Sequence, residues 1–443
     1  MDISKIFDNT YLKKLILPII IEQILAVTIG IVDMLVISTV SQSALTGVAL
    51  IENINRLIIQ IMAGFSMGGI AVCSLYFGKK DEETAKKVCA QLEIIMLIFS
   101  VLMMLICIIG NKALISLIFG NIDNDVMKSA QTFLVISALS YPFLGIYNAG
   151  AAIFRSSGNS KISMQLSFLM NIINLCLNMM FVFLFHLEVL GVATASLISR
   201  ALSGIIISYL VCSPKNPIQI KGIRVFRPKI DLIKKILNIA VPSGIENGMF
   251  QIGKLAVVSM IAVLGTDAIA ANAVGYTIID FPNIPGVAIG LALITVVGQC
   301  RGAGEYEQVY KYTRKLLKYA YLGDWLCKFI LFIFAKEIVS LFSLSVDATN
   351  TAVLILRCFS VASIVIWPLS FTLPNALRAM GDAKFTMTVS IVSMWIFRVI
   401  SSYILAIVFK MGVLGLWIGM FIDWYFRGII FSVRFFARKK KNL

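Results

Sequence analysis

Long apolar runs, each of about 20 residues, recur from one end of the chain to the other with only short polar stretches between them. A helix rises about 1.5 Å per residue, so each run is long enough to cross a hydrocarbon core roughly 30 Å thick. The pattern predicts twelve spans, at 12–38, 45–77, 88–110, 127–153, 162–186, 190–212, 236–264, 268–297, 313–336, 349–376, 385–409 and 412–435. No stretch is left over for a soluble domain. The expectation is an all-α integral membrane protein, because lipid offers no partner for backbone N–H and C=O groups and a helix satisfies its own.

The pattern also repeats. Adding 224 to a position in the first half returns the same residue in the second at Pro18 and Pro242, Glu22 and Glu246, Ala44 and Ala268, Gly78 and Gly302, Lys87 and Lys311, Ser116 and Ser340, and Gly191 and Gly415. A fixed period of this kind marks a duplicated unit. Six spans per unit return the chain to the side it started from, so the halves are parallel repeats about an axis along the membrane normal. The predicted architecture is two pseudo-symmetric six-helix bundles, 1–212 and 236–443, joined by a basic linker over 213–235. A cleft between two such bundles is a solute pathway that opens to alternate sides.

Composition agrees with a bilayer as solvent: 59% of residues are hydrophobic and 14% charged, against about 25% charged in soluble domains. The net charge of +16 does not imply nucleic acid, because the basic residues are spread over short loops rather than gathered on one face or arm. The termini and the loops after even-numbered spans, with the helix ends beside them, hold 27 Lys and Arg, whereas the loops after odd-numbered spans hold Lys112, Lys128, Lys336 and Lys410. Both termini and the linker are therefore expected in the cytoplasm of a cell-membrane protein. The eight cysteines are scattered singly and His186 is the one histidine, so no metal site is expected. Residues 248–254 read GMFQIGK, like the start of a phosphate-binding loop, but Leu255 stands where Ser or Thr is needed and the segment lies inside a span. No Ser/His/Asp set or paired-carboxylate signature can be assembled, and no enzyme is expected.

Ionisable residues inside spans are costly and so mark function or internal pairing. Glu52/Arg56, Asp324/Lys328 and Asp423/Arg427 are each spaced i,i+4, which lets acid and base neutralise each other on one helix face. Glu22, Asp33, Glu246, Lys254, Asp280 and Arg398 have no such neighbour and are read as unpaired. Glu22 and Asp33 lie eleven residues apart, about 20° around a helix, on one stripe with Ala26, Ile29 and Gly30. Glu22 and Glu246 each follow a proline by four residues, where water or a freed backbone group offers a partner as readily as a substrate does.

Several segments resemble the multidrug and toxic compound extrusion (MATE) transporters over nearly the whole length. They are LPIIIEQ and GIVDMLVI in span 1, FGKKDEETAKK after span 2, FRSSGNSK after span 4, LGVATASLIS in span 6, VPSGIENGMF in span 7, GTDAIAANAVG before and into span 8, VGQCRGAGEYEQ after it, and LRAMGDAK after span 10. The resemblance implies a monomeric antiporter without cofactor, exporting small amphipathic and mostly cationic organic compounds in exchange for H+ or Na+ by alternating access. It also implies a cation site made of Asp33, Asn174, Asn178, Ala195 and Ser199. Asn178 departs from the acid found there in many members, which leaves the coupling ion open between sodium and proton. Phe250 stands where many members have a second-half acid, so a second cation site is not expected. Glu22, Arg56, Glu246, Lys254 and Asp280 are assigned to the lobe interface or substrate pathway. A lipid-linked oligosaccharide flippase of the same superfamily is the alternative, kept by the cations Lys254 and Arg398.

Two predictions follow from sequence alone. A cysteine placed at Lys221 on a cysteine-free background should resist an impermeant thiol reagent added to intact cells, and modification there would reverse the topology. Arg56 and Asp280 are 224 residues apart, so symmetry brings them near the axis as a cross-lobe bridge. If so, exchanging the two charges should restore transport lost in either single reversal, and failure to restore it would contradict the bridge.

Overall fold

The computed structural model describes residues 7–40, 42–120, 122–214, 219–220 and 222–442. Every regular element among them is helical. Contacts divide the chain into two compact units. The first, Phe7–Gly244, contains α1 (Asn9–Ser38), α2 (Gln42–Gly78), α3 (Glu82–Ile109), α4 (Asn111–Phe119), α5 (Asn124–Ser156), α6 (Ser160–Met179), α7 (Glu188–Cys212) and the start of α8 (Ile230–Ile261). The second, Ile245–Leu443, contains the rest of α8, α9 (Thr266–Ile279), α10 (Ile284–Gly302), α11 (Tyr306–Ile333), α12 (Ala335–Ser340), α13 (Val346–Trp367), α14 (Leu373–Ala379), α15 (Ala383–Val392), α16 (Ser401–Tyr403) and α17 (Gly412–Asn442).

All twelve predicted spans are found as helix. Span 8 is a correction, since it is α9 and α10 separated at Asp280–Asn283, where Pro282 and Pro285 interrupt the ladder. Ten of the twelve are by themselves long and apolar enough to cross a membrane. The other two are α8, which carries Glu246 and Lys254, and α11, which carries Asp324 and Lys328 and a basic first half. Apolar side chains cover the outside as well as the core: on α1, Leu17, Ile21, Ile24, Ile31 and Leu35 are exposed at helical spacing, the pattern of a lipid-facing stripe.

The duplication is written in the backbone. Left-handed residues recur as mates, Lys80 with Gly304, Gly158 with Gly381, His186 with Lys410 and Glu188 with Gly412. Their offset is not constant, and the changes have a physical origin. It is 224 at Lys80 and Gly304, falls to 222 at the helix caps Asp123 and Ser345, and returns through 223 at Gly158 and Gly381 to 224 at His186 and Lys410. Each one-residue recovery coincides with a π-helical stretch, Pro368–Thr372 and then Ser393–Ile400, where the first half continues as α-helix. A π turn closes i to i+5 and so absorbs one extra residue.

In the first unit, α5 is the central helix, in contact with α2, α3 and α7. Small residues allow that closeness: a Cβ on Gly204 of α7 would lie 2.7 Å from the Phe143 carbonyl oxygen of α5. Gly64 and Gly68, one turn apart on α2, lie against the backbone of Ser243 and Gly244 and against Ala240, which is why the start of α8 belongs to this unit. Gln91 on α3 fixes the segment before α8, donating to the Arg227 carbonyl at 3.1 Å and accepting from the Lys229 N–H at 3.1 Å. The second unit centres on aromatic packing, with Phe359 edge-on to Trp417 and Trp424 at 6.3 and 6.0 Å. A Gly204→Val substitution should overpack the α5–α7 contact by about 1–3 kcal/mol and lower the unfolding midpoint in detergent. Gly30→Ala, where nothing lies within 4 Å of the added carbon, should not lower it. Equal loss in both variants would contradict this packing.

Candidate functional site

Pro18 leaves the carbonyl of Lys14 without its helical donor. The Ser160 hydroxyl answers it, approaching the Lys14 and Leu15 carbonyls at 3.4 and 2.6 Å. Glu22 takes no part in that contact. It is buried, and its carboxylate accepts from the Arg155 guanidinium, from the Ser163 hydroxyl at 3.0 Å and from the Tyr147 hydroxyl at 3.3 Å. The second unit rebuilds the arrangement: Glu246 accepts from Arg378 at 2.7 Å, Ser390 at 2.6 Å and Thr386 at 3.3 Å. The Asn375 side-chain oxygen accepts a further Arg378 N–H at 2.6 Å.

These pairs, with the ion pair of Arg398 to Asp423 at 3.9 Å, correct the reading of Glu22, Glu246 and Arg398 as unpaired. Their partners come from other spans, where i,i+4 spacing cannot see them. Arg155 and Arg378 stand inside the FRSSGNSK and LRAMGDAK segments, one residue off the 224 register, and Ser163 and Thr386 share that 223 offset. The displaced repeat was the signal available for finding them. Of the predicted local pairs, Asp324/Lys328 forms at 3.3 Å and Asp423/Arg427 at 3.2 Å. Glu52 and Arg56 form no ion pair; Glu52 instead accepts from Asn55 at 2.9 Å, and Asn55 accepts from Tyr141 at 2.7 Å.

Asp33 lies off the exposed stripe of α1, and its two oxygens meet neutral donors. Asn178 donates its amide to Oδ1 at 2.6 Å, and the Ser196 hydroxyl donates to Oδ2 at 3.3 Å. Asn174 links these two, donating to the Ser196 hydroxyl and accepting from Asn178, each at 3.1 Å. α6 supplies both asparagines one turn apart, and α7 supplies the serine. Ser199 is not in this network; its hydroxyl is turned to the Ser196 carbonyl at 3.0 Å, and Ser196 stands on Asp33 instead. Ala195 is fully buried beside it. One buried acceptor, Asn178 Oδ1, has no donor, so the site has an oxygen to spare for a cation. No ion pair within 4.0 Å reaches Asp33 among the described residues. Glu93 on α3, which the sequence reading passed over, also has a buried oxygen without a donor.

In the second unit, Lys254 lies over the Phe250 ring at 5.5 Å, and the guanidinium groups of Arg398 and Arg427 approach the same ring at 5.3 and 5.0 Å. Asp423 lies 3.9 Å from Arg398 and 3.2 Å from Arg427. Arg56 belongs to the first unit, and Asp280 ends α9 in the second.

The MatE family model matches residues 18–180 and 242–404, two stretches related by the same 224-residue offset. The uncharacterized transporter YisQ of Bacillus subtilis is 27% identical, the match covering 98% of this chain and 97% of that protein. The probable multidrug resistance protein NorM of Thermotoga maritima is 24% identical over 97% and 92%. Among solved structures, a MOP superfamily transporter from Pyrococcus furiosus, described by a reverse polarity of its binding pocket, superposes with a TM-score of 0.91 at 20% identity, over 98% of this chain and 96% of that one. A multidrug resistance MATE transporter in an outward-facing conformation gives 0.90 at 20% identity, over 97% and 96%. With both halves of the family model matched and the helical repeat in place, this multi-pass membrane protein is a transporter, not an enzyme, and belongs to the MatE family.

Proposed function

We propose that the protein is a secondary antiporter exporting amphipathic organic compounds by alternating access, with Asp33 taking the coupling ion. The observation that carries this reading is the shell around Asp33. Glu22, Glu246, Asp324 and Asp423 each have a cation against them, whereas Asp33 has amide and hydroxyl donors alone. A carboxylate held by neutral groups inside a membrane gains most from losing its charge, by taking a proton or by binding a sodium ion. Asn178 Oδ1, Asn174 and Ser196 are the neutral oxygens available to either ion. Neutralisation weakens the hold of Asp33 on α6 and α7, and that loosening links the ion to the movement of α1.

The acids Asp33 and Glu52 in the first unit suit a cationic compound, and the names of the relatives support export rather than lipid flipping. Asn matches Asp in shape but does not titrate. Asp33→Asn should express and fold yet lose efflux of a fluorescent dye from loaded vesicles under imposed sodium and proton gradients alike. Ser196→Ala should weaken coupling more than Ser199→Ala does. Full efflux by Asp33→Asn under both gradients would overturn the assignment.

A further inference from the structure

We infer that the second unit holds a binding site for an anionic group on an aromatic or apolar compound, with Arg398 and Arg427 as its ligands. The inference rests on the transporter reading and adds to it a subsite for an anionic group, distinct from the acids of the first unit. The repeat points to the place. At the 224-residue offset, Asp33 becomes Val257, Gly30 becomes Lys254, Asn174 becomes Arg398 and Ser203 becomes Arg427. Where the first unit sets a carboxylate among neutral donors, the second sets basic side chains around an aromatic ring. The site is related to the cation site by duplication and opposite to it in charge.

Donor count then points to a ligand. A guanidinium carries five N–H groups. Arg398, 1% exposed, makes one hydrogen bond, to the Tyr276 hydroxyl at 3.0 Å, and its Nε has no acceptor. Arg427, 3% exposed, makes one, to Asp423 at 3.3 Å, and its Nε lies 3.2 Å from the same carboxylate without hydrogen-bonding geometry. Asp423 is shared between them, and Ser393 donates to it as well. One carboxylate does not match two buried guanidinium groups in charge or in acceptors, and a bound carboxylate, sulfonate or phosphate supplies both. Phe250 and Tyr276, which adjoin the two guanidinium groups, are only half-buried and are the apolar surface nearest to them for an aromatic body. Arg398 itself lies within the π-helical stretch Ser393–Ile400, where the first half continues as α-helix.

The test uses the full-length protein in phosphatidylcholine nanodiscs with 2-naphthalenesulfonate as probe and 2-naphthyltrimethylammonium as its cationic counterpart. Equilibrium dialysis of the wild type should show saturable sulfonate binding that raises the thermal midpoint, and Arg398→Gln and Arg427→Gln should each weaken it at least tenfold. Arg398→Lys should retain more affinity than Arg398→Gln, and neither change should weaken binding of the cation. Because the midpoint shift is read on the wild type, the result does not depend on the variants folding. Absence of saturable sulfonate binding to the wild type, or equal affinity in a folded Arg398→Gln protein, would overturn the inference. Sulfonate bound but not moved in proteoliposomes would leave the anion site standing and count against the transport reading instead.

Discussion

A carboxylate buried among apolar helices is costly unless a cation lies against it, and Glu22 has one in Arg155. The pair ties α1 to the end of α5, while Ser163 brings in α6, so α1 meets two consecutive helices more than a hundred residues on at one acid. Removing one member of such a pair leaves an uncompensated charge at a cost of roughly 3–5 kcal/mol, more than most single packing contacts contribute. Glu246, Arg378, Thr386 and Ser390 repeat the arrangement in the second unit. Each bundle therefore carries its own acid–arginine clamp beside a proline-containing helix.

Duplication conserved the clamp and diverged at the site. The clamp serves packing, which both bundles need equally, and its members have kept their chemistry through a one-residue slip in register. At the positions around Asp33, proposed above to take the coupling ion, the halves differ in sign: neutral donors around an acid in one, and arginines around Phe250 in the other. The slip itself is physical. A shorter connection before α13 removed two residues, and two π-helical stretches restored them one at a time, the second containing Arg398.

Much of this was legible in the sequence. Apolar runs located every helical span, and the 224-residue period located the duplication, because both are properties of spacing along one chain. Asp33, Asn174 and Asn178 are grouped by the resemblance to the MATE transporters, not by spacing, which places the two asparagines on one helix face but does not join α6 to α1. What spacing does not encode is contact between spans. Glu22 was read as unpaired because Arg155 lies more than a hundred residues away, and Glu52 was given to Arg56 because proximity on a helix was the only criterion available. Ser196 and Ser199 differ by less than one turn, and which of them faces α1 is decided by how α7 rotates in the bundle, a property of packing. The break in span 8 had a visible signal in Pro282 and Pro285, which the length of the apolar run outweighed.

The central claim, that a buried acid–arginine clamp holds each bundle together, is tested most directly by a double-mutant cycle on Glu22 and Arg155. Unfolding midpoints would be measured in detergent for Glu22→Gln, Arg155→Gln and the double variant. The account predicts that each single change lowers the midpoint strongly and that the double change is no worse than the poorer single, because removing both charges leaves neither stranded. Additive losses would mean that the two side chains stabilise the protein independently, and would contradict the clamp.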